Sequence, residues 1–198
     1  MLVREVMSTP VVTVPPTATV KQAIRLLYER NITAAPVVHG RARVIGIVSE
    51  MDLLRGEFEA DPRALARPVP RPDDLPPRRV DEVMTRHVMT VRETTDAAEL
   101  AELMMTTGVK SVPVIRDDQL VGIVSRRDLM GVLARSDERI RDDVVEALGD
   151  YGPDGSRWDV MVRDGVVELH GRADVATELI IDVLTRTVPG VVRVVHLA

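Results

Sequence analysis

The sequence predicts an α+β fold in which two copies of one supersecondary unit pack about a pseudo-twofold axis, followed by a small α-β-β-α-β unit. Three observations predict it. An eight-residue stretch occurs twice, as Gly46-Ile47-Val48-Ser49-Glu50-Met51-Asp52-Leu53 and as Gly122-Ile123-Val124-Ser125-Arg126-Arg127-Asp128-Leu129. Upstream, Val6-Met7-Ser8 aligns with Val83-Met84-Thr85, Val12-Thr13-Val14 with Met89-Thr90-Val91, and Ala35-Pro36-Val37-Val38 with Val112-Pro113-Val114-Ile115, at a constant offset of 77. After Ser136 the repeat stops and a different pattern of elements takes over.

Each copy reads strand, helix, strand, hairpin turn, strand, helix. The first helix is expected to begin near Thr17, with Val20, Ala23, Ile24 and Leu27 at helical spacing, matched by Ala97, Leu100, Ala101 and Met104 in the second copy. These stripes are core. Pro36-Val37-Val38 and Val44 to Val48 read as paired strands, as do Pro113-Val114-Ile115 and Leu120 to Val124. The offset falls to 76 across the turn, because His39-Gly40-Arg41-Ala42-Arg43 is one residue longer than Arg116-Asp117-Asp118-Gln119. Two similar apolar faces are buried most economically against each other.

Residues 1–56 form the first repeat and 80–135 the second. Between them residues 57–79 hold Pro62, Pro68, Pro70, Pro72, Pro76 and Pro77, a density that forbids a helix through the second half and favours extended chain, with at most a short helix around Pro62 to Ala66. In residues 136–198, Ile140, Val144, Val145 and Leu148 mark an amphipathic helix, and Trp158, Val160 and Val162 alternate as a strand. Asp164-Gly165 supplies a two-residue hairpin turn. Asp174 caps a second helix carrying Ala176, Leu179, Ile180, Val183 and Leu184, and Val191 to Leu197 closes the unit as a strand.

Composition narrows the function. With no cysteine there is no disulfide framework, thiolate chemistry or Cys-ligated metal. Residues 137–198 carry 7 basic and 13 acidic groups, which weighs against nucleic acid or an anionic membrane as a purely electrostatic partner. Four aromatics, Tyr28, Phe58, Tyr151 and Trp158, make no stacking platform for single strands. The absence of a long apolar run and of a leader-like start points to the cytoplasm. His39, His87, His170 and His196 lack ligand spacing, and phosphate-loop, dinucleotide-glycine and nucleophile-elbow motifs are missing, so neither a metal nor a catalytic residue is expected.

A single Ser-x-x-Asp is most simply a capping box, in which hydroxyl and carboxylate satisfy the free amides of a new helix. Its recurrence at matched places, each with a small-residue-Pro-Val strand entry, asks for more. The repeat resembles the CBS domain, named after cystathionine β-synthase, arranged as a tandem pair or Bateman module over residues 1–135 apart from the linker. The resemblance implies a cleft that binds an adenine ligand such as AMP, ADP, ATP or S-adenosylmethionine, with no cofactor required. It implies that Asp52 and Asp128 accept hydrogen bonds from ribose hydroxyls and that Ser49 and Ser125 touch ribose or phosphate. Thr13 with Ala35-Pro36, and Thr90 with Val112-Pro113, are implied to line the adenine pocket through backbone and apolar atoms.

Physical chemistry is consistent with those roles. A carboxylate is acceptor-only at neutral pH and suits paired hydroxyls, each charge-assisted bond contributing roughly 1.5–3 kcal/mol. A helix beginning at Ser125 aims free amides at a phosphate, and Arg126 and Arg127 add positive charge there. Glu50 and Met51 replace that pair in the first copy, so the Ser125/Asp128 site is expected to be the stronger. Residues 164–171 and 189–194 resemble the Asp-Gly hairpin and closing Gly-Val strand of the BON domain, a family associated with phospholipid or envelope interactions. The expected whole is a homodimeric, non-catalytic sensor whose BON-like domain binds a protein or lipid partner. The alternative is a structural or membrane-associated adaptor that uses the CBS pair only to dimerise.

Overall fold

The computed structural model describes residues 1–55, 61, 78–152 and 157–197. It divides into two compact units that interleave along the chain. An inner unit comprises Ser8–Glu93 and Ser111–Ile123, and a terminal unit comprises Met1–Met7, Thr94–Lys110 and Val124–Ala198. Most of the Pro-rich linker, including the short helix expected around Pro62 to Ala66, lies outside the described residues.

The inner unit begins with helix α1, Val20–Arg30, which starts later than the pattern suggested because Thr19 is the residue able to cap it. Its hydroxyl accepts from the Gln22 amide at 3.1 Å while Gln22 Oε1 accepts from the Thr19 amide at 2.9 Å. Strands β1, Ala34–His39, and β2, Arg43–Ser49, pair antiparallel with a register shift between Val37 and Val38, and the extra hairpin residue lies in the turn, where His39↔Arg43 encloses Gly40, Arg41 and Ala42. Val14 runs parallel beside β1, and the short helix α2, Glu50–Leu54, follows β2. Gly46 sits in close approach to Met84 and Thr85, where a Cβ would lie 2.5 Å from Met84 Sδ and 3.2 Å from Thr85 O.

The core of this unit gathers Val14, Val20, Ala23, Leu27, Val37, Val48 and Leu53 together with Val80 and Met84. Helix α3, Val80–Val83, belongs by sequence to the second repeat yet completes the core of the first. Backbone bonds fix it there: Val20 N donates to Arg78 O at 3.0 Å and Val80 N to Ala18 O at 2.9 Å. Strands β3, Val91–Arg92, β4, Ser111–Arg116, and β5, Gln119–Ser125, form a sheet in that order, β3 parallel to β4. Asp117 and Asp118, both at positive φ, make the two-residue turn.

The terminal unit shows the reciprocal exchange. Helix α4, Ala97–Thr107, receives the start of the chain, with Val3 N donating to Thr95 O at 2.9 Å and Ala97 N to Met1 O at 3.0 Å. Helix α5, Arg126–Leu133, leads into α6, Asp137–Gly149. Then come β6, Asp159–Arg163, β7, Val166–His170, α7, Val175–Thr187, and β8, Arg193–Leu197. The expected α-β-β-α-β order is present, with β6 antiparallel and β8 parallel to a central β7. Gly165 stands at φ +73 in the β6–β7 turn, whose amides at Asp164 and Gly165 are held by the Asp137 carboxylate at 2.8 and 3.0 Å.

Two details differ from the sequence pattern. Val145 is exposed while Ile140, Val144 and Leu148 are buried, since three positions already span the core-facing stripe of α6. In α7 the core-facing residues are the buried Ile181 and Thr185 and the partly buried Leu184, with Val188 buried just past the helix end, rather than Leu179, Ile180 and Val183, which are exposed. Both sets have helical spacing. Only the position of the sheet chooses between them.

Candidate functional site

The candidate residues of the first repeat all stand in the inner unit. The register Ala34↔Ser49 and Pro36↔Ile47 brings the β1 entry beside the end of β2, and Val14 N donates to Pro36 O at 3.0 Å, which sets Thr13 next to the same strand. Ala35 and Pro36 are buried, and Thr13, Ser49 and Asp52 are half-buried. Ser49 and Asp52 form a capping box: Asp52 Oδ2 accepts from the Ser49 amide at 2.9 Å and from its hydroxyl at 2.7 Å, and the Asp52 amide donates back to Ser49 Oγ at 3.4 Å. Among the described residues no hydrogen bond falls on Asp52 Oδ1, so the carboxylate retains an acceptor edge.

The second set is divided between the units. Thr90, Val112 and Pro113 stand in the inner unit, where the parallel register Val91↔Val114 carries Thr90 alongside β4 and leaves Val112 and Pro113 buried. Ser125, Arg126, Arg127 and Asp128 open α5 in the terminal unit. The capping box recurs, Asp128 Oδ2 accepting from the Ser125 amide at 2.7 Å and hydroxyl at 2.6 Å. Helix α5 has eight residues against five in α2, so its amino end presents the longer dipole.

The two arginines are placed differently. Arg126 donates from Nε to Val109 O and from Nη2 to Met104 O, both at 3.1 Å, and its amide donates to Lys110 O at 3.0 Å. Its guanidinium thus satisfies the carbonyl end of α4, where a cation is also favoured by the helix dipole. Arg127 is exposed.

Sequence reasoning missed a cavity of about 310 Å³ in the inner unit. Arg43 on β2, Arg86, Thr90 and the turn residue Asp118 supply its polar wall, and Val44, Val88 and Ile115 its apolar wall. Only Thr90 belongs to the set read from the repeat. Arg43 and Arg86 escaped because their repeat counterparts are Gln119 and Thr9, and comparison of copies draws attention to positions that agree. Among the described residues no group of three or more His, Asp or Glu is placed to hold a metal ion, and no helix is long and apolar enough to cross a membrane.

Comparison with known proteins follows the same division of the chain. The family model described as "CBS domain" matches residues 3–59 and 80–135, more than half of the sequence. An uncharacterized 17.7 kDa protein of Acidianus ambivalens is 30% identical over 132 residues, which cover 66% of this chain and 72% of that one. The chain spans smaller shares of longer relatives, 22% and 15% in two of them. The solved CBS-domain pair of protein MJ0100, in complex with 5′-methylthioadenosine and S-adenosyl-L-methionine, has a TM-score of 0.54 at 25% identity, covering 67% of this chain and 94% of that one. CBSX2 in complex with AMP has a TM-score of 0.54 at 26% identity, covering 66% and 93%.

Proposed function

The chain belongs to the CBS-domain family, whose paired domains are regulatory, non-catalytic modules, and from that premise we propose that it senses an adenine ligand and passes the signal to its C-terminal unit. The observation that carries this reading is the pair of ligand-bound relatives, one holding AMP and the other S-adenosyl-L-methionine with 5′-methylthioadenosine. The geometry supports it. Asp52 and Asp128 hold their carboxylates in capping boxes, oriented and half-buried, and Thr13 and Thr90 run beside the buried small-residue-Pro entries. In this reading the carboxylates take ribose hydroxyls, Ser49 and Ser125 lie toward ribose or phosphate, and Ala35-Pro36 and Val112-Pro113 border the base.

The sensor works through differential affinity. A ligand shifts the equilibrium between two arrangements of the module only by the difference in its affinity for them. The recipient is the BON-like domain over residues 136–198, a reading supported by the α-β-β-α-β order and the Asp164-Gly165 turn. Its partner surface includes the exposed stripe of Val175, Leu179, Ile180 and Val183 on α7, open to a protein or a lipid. The protein acts in the cytoplasm as a homodimer.

A second reading, the structural adaptor, draws on the exposed apolar side chains Tyr28, Met51, Met105 and Met130 of the CBS helices, which suit dimerisation without any ligand. Calorimetric titration with AMP, ATP and S-adenosylmethionine separates the two. Saturable binding is expected, weakened roughly tenfold to hundredfold by Asp128→Ala or Asp52→Ala through loss of charge-assisted hydrogen bonds. Silence toward all three ligands in a folded chain leaves the adaptor.

A further inference from the structure

We propose that the edge strand β6 is a self-complementary interface: in the homodimer it pairs antiparallel with β6 of a second copy of this chain, joining their two three-stranded sheets into one. The inference rests on the homodimer reading and adds to it a contact made by the C-terminal units. Strand β6, Asp159–Arg163, has β7 on one side and, among the described residues, no strand on the other. Its faces alternate. Val160 is buried in the core and Val162 packs against it half-buried, while Asp159, Met161 and Arg163 are exposed. The turn identifies which backbone groups are free. Asp164 and Gly165, both at positive φ, make a two-residue hairpin, so Arg163 exchanges ladder bonds with Val166 and, by antiparallel alternation, Met161 and Asp159 also bond toward β7. The amides and carbonyls of Val160 and Val162 therefore point away from the sheet, and among the described residues no backbone bond outside the ladder reaches them.

An open edge accepts any extended chain, and proteins guard one with proline, a bulge or charged side chains. Strand β6 has no proline, and its register with β7 is unbroken. Its two charges are opposite in sign and stand symmetrically about Met161. An antiparallel pair centred there sets Asp159 opposite Arg163 of the partner subunit and Met161 opposite the partner's Met161. These are non-hydrogen-bonded pairs, in which facing side chains stand closest. Opposite charges directly across strands attract, whereas like charges destabilise. Among the described residues the side chains of Asp159 and Arg163 have no other hydrogen-bond or ion-pair partner. Val160 exchanges backbone bonds with Val162 of the partner subunit, so the apolar face continues across the join. The other edge of the sheet, β8, lacks this pattern, since reversal about Val195 sets Arg193 opposite Leu197. One short strand buries too little surface to hold two chains by itself. The pairing forms within a dimer held elsewhere, where tethering raises the effective concentration of the two edges.

The chain has no cysteine, so single cysteines placed in the full chain report the register directly. Met161→Cys, Asp159→Cys and Arg163→Cys are oxidised with diamide and read on non-reducing gels, with circular dichroism and light scattering of the reduced proteins as checks on fold and mass. Expected is a disulfide-linked dimer for Met161→Cys, only background linking for Asp159→Cys or Arg163→Cys alone, and a linked heterodimer when these two are co-expressed. In the Met161→Cys background Val162→Pro, which removes an outward amide and no ladder bond, should abolish the link. Asp159→Arg should slow it by roughly twofold to fivefold, and adding Arg163→Asp should restore it. A dimer in which Met161→Cys links no faster than Asp159→Cys overturns the strand pairing and leaves the homodimer standing. A link that neither Val162→Pro nor Asp159→Arg affects overturns it in the same way. A chain that is monomeric by light scattering overturns both.

Discussion

Ser125 and Asp128 show how one short motif serves the fold before it serves a ligand. The hydroxyl and carboxylate satisfy each other and the first amides of α5, as in the Ser49/Asp52 pair, and this much follows from residue type and spacing alone. The neighbouring Arg126 does not follow from spacing, because its acceptors, Met104 O on α4 and Val109 O just past that helix, lie well before it in sequence. Its removal should therefore register as lost stability. Arg126→Ala is expected to lower the free energy of urea unfolding by about 1–2 kcal/mol, from two exposed-to-half-buried hydrogen bonds. Arg127→Ala should stay within about 0.5 kcal/mol of wild type. Equal costs for the two would contradict the different placements of these side chains.

At the scale of elements, α7 carries two apolar stripes, and only one is core. Ile181 is fully buried, and Thr185, also fully buried, satisfies its hydroxyl by donating to Ile181 O at 2.8 Å. Ile181→Ala should cost about 2–5 kcal/mol in chemical denaturation, whereas Leu179→Ala, on the exposed stripe, should cost under about 1 kcal/mol. The reverse order would place the sheet on the other face. The same helix predicts a pH dependence. The Thr177 amide and hydroxyl, and then the Ala176 amide, donate to the Asp174 carboxylate and hold its pKa below the ordinary aspartate value. A carboxylate lowered in the folded state contributes stability above its unfolded pKa, about 3.9, and loses it as pH falls through the folded value. Asparagine caps as well but carries no charge. The thermal-stability gap between wild type and Asp174→Asn should hold steady from pH 7 to 5 and close on acidification below about pH 3.9. A gap that widens in acid would have the wrong sign.

For the molecule as a whole, the repeat leaves matched apolar side chains in solvent. Tyr28 and Met105, equivalent in the two copies, are 87% and 74% exposed, and Leu54 and Met130, also equivalent, are 45% and 68% exposed. Chance exposure of single residues is ordinary, but exposure at the same positions of both copies is the pattern of a surface kept apolar for contact. Wild type is expected to elute as a dimer in size-exclusion chromatography with light scattering, and Tyr28→Glu with Met130→Glu to shift it to monomer mass with an unchanged circular-dichroism spectrum. A monomeric wild type at micromolar concentration would remove the homodimer from the proposed function.

The repeat, the hairpins, the Ser-x-x-Asp and Asp174 caps and the order of the last five elements were legible in local spacing, because helix and strand periods and turn chemistry act over a few residues, whereas the Thr19 start of α1 and the helix α3 were not. Only the tertiary structure decided which partners those elements take. Nothing local says that Val80 and Met84 of the second repeat close the core of the first, that the chain start joins α4, or that α7 buries Ile181 instead of Leu179. The same holds for the site. The Ser-x-x-Asp pairs were legible because two copies share them. Arg43 and Arg86 were not, since a cavity is formed by residues that meet through backbone bonds between distant segments, and no period in the sequence records that meeting.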